Sequence, residues 1–143
     1  MRIVFAVLIS VMLLGGSASA EKLVAVCTDI GGYRVDDTNG QLVGRLDKLT
    51  DVSWSYTGDD DTSEGLLILQ SSKSAGGRVV TEKAYVKRML TGHWSFVSVL
   101  DDATWVHTIY PRSGKLLVTQ NTSTAMSELS GKMLTGVCKV TVR

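Results

Sequence analysis

Cysteine is scarce in this sequence, which contains only Cys27 and Cys138 among its 143 residues. Two cysteines are too few for a disulfide-rich scaffold, in which several bridges replace a core. Two thiols alone also do not supply the four ligands of a structural zinc site. The sequence therefore predicts neither a metal site nor a cofactor.

Long apolar runs and an excess of basic charge are also missing from residues 21–143. No segment there is apolar over the roughly 20 residues that a membrane-spanning helix needs, so we expect no stable membrane insertion. Residues 21–64 carry ten acidic and four basic side chains, and residues 65–143 carry four acidic and ten basic ones. This balance argues against a nucleic-acid partner. The asymmetry favours charge pairing within the fold, or one acidic and one basic face for a partner.

The first 20 residues have the composition of a secretory signal peptide. Arg2 precedes an apolar stretch, and Ala18-Ser-Ala20 is a small-residue cleavage pattern. We therefore expect a signal peptide over residues 1–20 and one domain over residues 21–143. The expected location is secreted, in a bacterial periplasm.

The rest of the chain has a single proline and consists of short alternating runs separated by turn residues. This pattern predicts an all-β fold, namely a small antiparallel, up-and-down β-barrel of about eight strands. We expect the first strand over residues 23–29, ended by Gly31 and Gly32, and a tight turn at Asn39-Gly40. Residues 41–49 fit either a helix or a strand.

The two cysteines lie in the first and the last predicted strand. Export makes a disulfide chemically reasonable, so we predict a bridge between Cys27 and Cys138 that closes the barrel. Closing a loop of about 110 residues stabilises a fold by about 4–5 kcal/mol in the chain-entropy model.

Residues 94–121 predict a three-stranded meander with turns at 101–104 and 111–114. Four-residue loops at both turns place Ser98 opposite His107, and His107 opposite Val118. One face is then expected to combine an apolar core with three polar side chains, and it consists of Trp94, Phe96, Ser98, Leu100, Trp105, His107, Ile109, Leu116, Val118 and Gln120.

The three polar members of this face, together with Trp105, are a candidate ligand pocket, formed by Ser98, Trp105, His107 and Gln120. A Ser-His hydrolase also needs an orienting acid and an oxyanion hole. The sequence supplies neither at a fixed offset, so we expect no enzyme. A buried histidine bonded to its cross-strand neighbours is the simpler interpretation.

A second candidate is the acidic loop that contains Asp59, Asp60, Asp61 and Glu64. The spacing of these residues does not match a twelve-residue calcium loop, so a solvated hairpin tip is favoured over a calcium site.

These observations lead to one functional expectation and two alternatives. We expect a non-catalytic exported binding module, of the inhibitor or immunity type, that engages a protein or a cell-envelope component through loops at one end. The first alternative is a small-ligand carrier with a pocket inside the barrel, and the less favoured one is a hydrolase. A filled interior would argue against a carrier.

Overall fold

The computed structural model describes residues 21–124 and 127–143, and it contains nine strands and one short 3₁₀ turn in this part of the chain. The predicted signal peptide, residues 1–20, lies outside the described residues. The strands are β1 (Lys22–Thr38), β2 (Gln41–Lys48), β3 (Trp54–Asp59), β4 (Glu64–Gln70), β5 (Val79–Arg88), β6 (Trp94–Val99), β7 (Ala103–Tyr110), β8 (Lys115–Thr124) and β9 (Ser127–Val142), and the 3₁₀ turn is Lys73–Ala75.

Eight of the strands form a closed antiparallel barrel, which confirms the predicted fold class. Neighbouring strands pair in the order β1, β3, β4, β5, β6, β7, β8 and β9, and β9 returns to pair with β1. Cys27 lies directly opposite Cys138 in this last ladder, and the two are joined by a disulfide. The predicted bridge between the first and the last strand is therefore confirmed.

β1 is longer than the sequence predicts. Gly31 and Gly32 do not end it, because a β-bulge after Thr28 lets the strand continue to Thr38 beside β9. Asp29 adopts the left-handed backbone conformation there, with φ of +53°. Gly32 lies so close to the backbone of Met133 that any Cβ would overlap the Met133 carbonyl oxygen, so glycine is required for strand pairing rather than strand termination.

β2 resolves the ambiguity over residues 41–49 in favour of a strand. The turn at Asn39-Gly40 has φ values of +55° and +77°, as a type I′ hairpin turn requires, and it folds β2 back onto β1. Within the described residues β2 pairs with β1 alone, so it is a ninth strand outside the eight-stranded barrel.

The barrel interior is filled by side chains that alternate inward along the strands. Gly58 and Gly65 leave room for the Phe96 ring, because a Cβ on Gly65 would lie 2.9 Å from Cδ1 of that ring. The largest fully buried side chains are Trp94, Tyr56, Phe96, Leu23, Ile30, Leu67, Ile109, Leu116, Leu134, His107, Val86 and Val118.

The meander β6–β7–β8 is confirmed, but one of its two predicted registers is wrong. β7 and β8 pair as expected, with His107 opposite Val118. β6 and β7 are shifted by two residues, so that Ser98 lies opposite Trp105 and Phe96 lies opposite His107. The reason is a shorter turn, in which only Asp101 and Asp102 separate Leu100 from Ala103 and the Leu100 N–H donates to the Ala103 carbonyl. A shift of two keeps every side chain on its predicted face, although Leu100 itself is exposed.

Candidate functional site

The four residues of the predicted pocket all point into the barrel, but the structure does not bring them together as one polar site. Ser98 donates a hydrogen bond to Glu82 at 2.9 Å. Gln120 donates its amide N–H to the Thr122 hydroxyl at 2.5 Å. The predicted pairing of Ser98 with His107 is therefore wrong.

His107 instead shares a hydrogen bond with Tyr56, whose hydroxyl lies 2.9 Å from Nδ1 of the imidazole. Both side chains are fully buried. Burial lowers the pKa of His107 to about 3, and it raises the pKa of Tyr56 well above its usual value. Both pKa shifts favour the neutral forms of the two side chains.

Aromatic rings enclose this buried pair. Trp105 stacks on His107, with ring centroids 5.6 Å apart and planes inclined by 12°. Trp54 packs against the imidazole edge-on at 5.7 Å, and Phe96 packs against Tyr56 at 5.4 Å. The centre of the barrel at this level is consequently an aromatic core built from β3, β6 and β7.

Three depressions of about 490, 500 and 530 Å³ open on the surface. One lies beside Gly58 and Gly65, another beside the Asp101-Asp102 turn, and the third beside the β-bulge at Asp29. The four residues of the predicted pocket line none of these three.

The acidic loop is the tip of the β3–β4 hairpin, and basic groups surround it. Asp59 forms an ion pair with Lys22 at 3.1 Å, and hydrogen bonding to Lys22 lowers the pKa of the Asp59 carboxyl. Asp60 accepts the backbone N–H of Arg88 at 3.1 Å and lies 3.8 Å from the Lys87 ammonium. Within residues 21–124 and 127–143, no group of three or more His, Cys, Asp or Glu side chains is arranged to hold a metal ion.

The most unusual surface is the hairpin formed by β1 beyond its bulge and β2, together with the adjoining part of β9. On its outward side Tyr33 lies between Leu46 and Met133 in the two ladders, and Val35 lies between Gly44 and Gly131. We call the apolar side chains on this side, Tyr33, Val35, Leu42, Leu46 and Met133, the apolar hairpin face. All five are exposed, and Leu46, Leu42 and Tyr33 are 74%, 66% and 60% exposed. The same side also carries Asp37, opposite Leu42, and Lys48, opposite Gly31.

The opposite side of the same hairpin is polar and charged. Asp36 is buried and lies 2.7 Å from Arg34, 3.1 Å from Arg45 and 2.7 Å from the Ser130 hydroxyl, which donates to it. Hydrogen bonds from Arg34 and Ser130 lower the pKa of the Asp36 carboxyl. Lys132 pairs with Asp47 at 3.0 Å beside it.

The hairpin thus carries apolar side chains on its outer side and ion pairs on the side that continues the inner face of the barrel, where Arg34 and Arg45 are still 43% and 59% exposed. Isolated exposed apolar residues are ordinary on protein surfaces, whereas a contiguous apolar patch marks an interaction site. Sequence reasoning missed this face because it treated residues 41–49 as ambiguous and ended the first strand at Gly31. The detectable signal was the alternation of Leu42, Gly44 and Leu46 after a strong hairpin turn.

No helix within the described residues is long and apolar enough to cross a membrane. The disulfide is compatible with an extracellular or periplasmic location. The chain matches no protein-family model, no curated protein and no solved structure.

Proposed function

We propose that this protein is an exported, non-catalytic binding module that engages a protein or a cell-envelope component, as inhibitor and immunity proteins do. The apolar hairpin face is the observation that carries the proposal. It places four exposed apolar side chains on one side of the β1–β2 hairpin and a fifth, Met133, on the adjoining β9, while ion pairs fix the other side of the hairpin. Burying such a face against a partner removes apolar surface from water, which is the main driving force for association.

The partner's contact surface is expected to be largely apolar. Tyr33 supplies a large amphipathic ring at the centre of the face, flanked by Leu46 and Met133. Aromatic and methionine side chains are enriched at protein interfaces, and charged ones are depleted at their cores. The proposed contact region is a strand face beside the Asn39-Gly40 turn, whereas the sequence favoured loops at one end of the barrel.

The polar residues of the interior support a structural role rather than a catalytic one. His107 is enclosed by aromatic rings and bonded to Tyr56, and Ser98 is bonded to Glu82. A nucleophile and its base need mutual hydrogen-bond reach and access to substrate, and these residues are engaged elsewhere. The filling of the interior by large side chains such as Phe96 favours the binding module over a small-ligand carrier.

Affinity capture with paired surface variants tests the proposal. The tagged protein, expressed with its full sequence in the source cell, is used to capture partners from the envelope fraction. The hairpin variant is Leu42→Ser/Leu46→Ser. The control is Val79→Ser/Tyr85→Ser, because Val79 and Tyr85 are 57% and 58% exposed on β5, away from the hairpin.

We expect the unmodified protein and the control variant to recover the same stoichiometric partner, and the hairpin variant to lose at least nine-tenths of it. A clean monomer with no partner, or equal recovery by all three proteins, would contradict the proposal.

A further inference from the structure

The free edge of β2 is a second feature of the hairpin, distinct from the apolar hairpin face. Apart from Asp47, every β2 residue is exposed, and β2 pairs with β1 alone among the strands of residues 21–124 and 127–143. An exposed strand edge presents unpaired N–H and C=O groups that can template another strand.

Hairpin geometry identifies the backbone groups that face this edge. Thr38 and Gln41 flank a two-residue turn, so they exchange hydrogen bonds with each other. Bonding then alternates along the antiparallel ladder, which directs the N–H and C=O groups of the odd-numbered β2 residues toward β1. Those of the even-numbered residues, including Leu42, Gly44 and Leu46, point to the free edge.

The even-numbered residues along this edge are symmetric about Gly44, because Leu42 and Leu46 lie two positions on either side of it. If a second β2 lies antiparallel across a two-fold axis at Gly44, Leu42 faces Leu46 of the second copy, and this apolar pair occurs twice. Val43 faces Arg45 of the second copy, so no like charges lie opposite each other. A two-fold axis at Arg45 would instead place two arginines face to face, which is unfavourable.

Gly44 has no steric explanation within one chain. A Cβ built on it would meet nothing within 4 Å, and its φ is not in the left-handed region. Glycine weakens a strand interior, and it often marks a place where another backbone approaches closely. At the two-fold axis the two Gly44 residues would form a hydrogen-bonded pair, with no side chain of either copy between them.

The charged side chains of Arg45 and Asp47 do not obstruct the edge, and Lys48 lies at the end of β2, outside residues 42–46. Arg45 and Asp47 point to the polar side of the hairpin, where they pair with Asp36 and Lys132. The even-numbered residues on the other side are apolar from position 42 to position 46.

We infer that two copies of this chain associate through β2, which pairs antiparallel with β2 of the second copy about Gly44 and joins the two sheets. Because strands pair within the plane of the sheet, both apolar hairpin faces stay open to a partner. The dimer would therefore present the face proposed above twice, on one continuous sheet. The two proposals are independent: the dimer does not require a partner on the apolar hairpin face, and binding of a partner does not require the dimer.

Sedimentation analysis of the purified protein between about 1 and 200 µM tests the inference. We expect a reversible monomer–dimer equilibrium. Gly44→Pro removes an N–H that points to the free edge but none that bonds β1, so the fold tolerates it. It should raise the dimer dissociation constant at least tenfold, whereas the exposed β5 control Tyr85→Ser should leave it unchanged.

A charge exchange tests the register. Leu42→Lys and Leu46→Asp, each alone, should raise the dissociation constant at least tenfold. The double variant Leu42→Lys/Leu46→Asp should recover most of the affinity, because the ammonium group introduced in each copy then faces the carboxylate introduced in the other. The lysine is placed at position 42 because Asp37 lies opposite that position in the same chain. Circular dichroism confirms that each variant is folded.

A protein that is monomeric at 200 µM would overturn the inference. So would a dimer that survives Gly44→Pro, or one that the double variant fails to restore. Gly44→Pro leaves the apolar hairpin face intact, so partner capture by this variant separates failure of the dimer from failure of the proposed function.

Discussion

The pairing of His107 with Tyr56 shows how a titratable residue can be a core residue. Its imidazole is stacked, bonded and excluded from water, so its charged form has no compensating partner in the fold. Such a group stays neutral well below its ordinary pKa, because desolvation penalises the imidazolium ion.

This burial predicts acid sensitivity. The unfolded chain binds a proton at His107 below a pH of about 6.5, whereas the folded chain resists binding until the pH falls to about 3. The unfolded state then holds more protons, so stability falls as the pH is lowered, by about 2 kcal/mol between pH 6.5 and pH 4.5. Urea unfolding at these two pH values measures the loss.

His107→Gln removes the titrating group and should abolish most of this pH-dependent loss, although its stability at pH 7 is also lower. The matched control is His93→Gln, because His93 is partly exposed and bonded to Thr91. If the free energy of unfolding of His107→Gln fell with pH as steeply as that of the unmodified protein, burial of neutral His107 would not be the cause of the acid sensitivity.

The inward orientation of residues such as Ser98, His107 and Gln120 was predictable, because side chains alternate with a period of two in a strand. The hydrogen-bond partners of these residues could not be predicted from this alternation. A two-residue change in the β6–β7 turn preserves each face but replaces every cross-strand neighbour. The Tyr56 partner comes from a strand 51 residues away, and no local pattern specifies it.

At the scale of elements, the hairpin of β1 and β2 has to hold its shape without a hydrophobic core of its own. Asp36 performs this role by accepting hydrogen bonds from Arg34 on its own strand and Ser130 on β9, and it pairs with Arg45 on β2. A buried carboxylate is tolerated only when it is paired in this way.

We therefore predict that Asp36→Asn loosens the hairpin more than the barrel. Amide hydrogen exchange at pH 7 should accelerate at least tenfold at Val43 and Arg45 of β2, and change little at Val118 of β8. Asp101→Asn, in an exposed turn, is the control. Uniform acceleration across the chain, or none, would argue against a local role for Asp36.

The same carboxylate gives the hairpin a pH dependence. Because the folded-state pKa of Asp36 is lowered, its stabilising contribution is present above its ordinary pKa of 3.8 and is lost as the pH falls through the lowered value. The hairpin of the unmodified protein should approach the exchange behaviour of Asp36→Asn in acid.

The turn at Asn39-Gly40 could be predicted from two residues, because few dipeptides tolerate two positive φ values. The length of β1 could not be predicted. Its continuation depends on a bulge whose register is set by β9, about 100 residues later in the sequence. Glycine is depleted in strands, so Gly31-Gly32 favoured an end to β1.

For the whole molecule, closure of the barrel depends on the long ladder between β1 and β9, which runs from Leu23 opposite Val142 to Asp36 opposite Ser130. The disulfide adds one covalent link within this ladder. Because the ladder is extensive, the bridge is expected to stabilise the closed barrel rather than to create it.

Cys27→Ala/Cys138→Ala should therefore remain folded, with its near-ultraviolet circular dichroism retained, but lose about 2–5 kcal/mol in free energy of unfolding. Thiol titration of the unmodified protein should find no free sulfhydryl in its native state. An unchanged unfolding midpoint in the double variant, or two reactive thiols in the native protein, would contradict this description.

Closure was predictable because cysteines in the first and last strands leave few other arrangements for an antiparallel sheet. The position of β2 outside the barrel was not predictable, because its sequence pattern resembles that of a strand within the barrel. Only the three-dimensional arrangement shows that its apolar side faces water.

Site-specific photo-crosslinking in the source cell tests whether the apolar hairpin face contacts a partner. A benzoylphenylalanine at Tyr33, on the apolar hairpin face, is compared with one at Tyr85 on β5. The two tyrosines are 60% and 58% exposed, so accessibility is matched. We predict one discrete crosslinked adduct with another cell component from position 33 and none from position 85. Equal adducts at both positions, or no adduct at position 33, would contradict it.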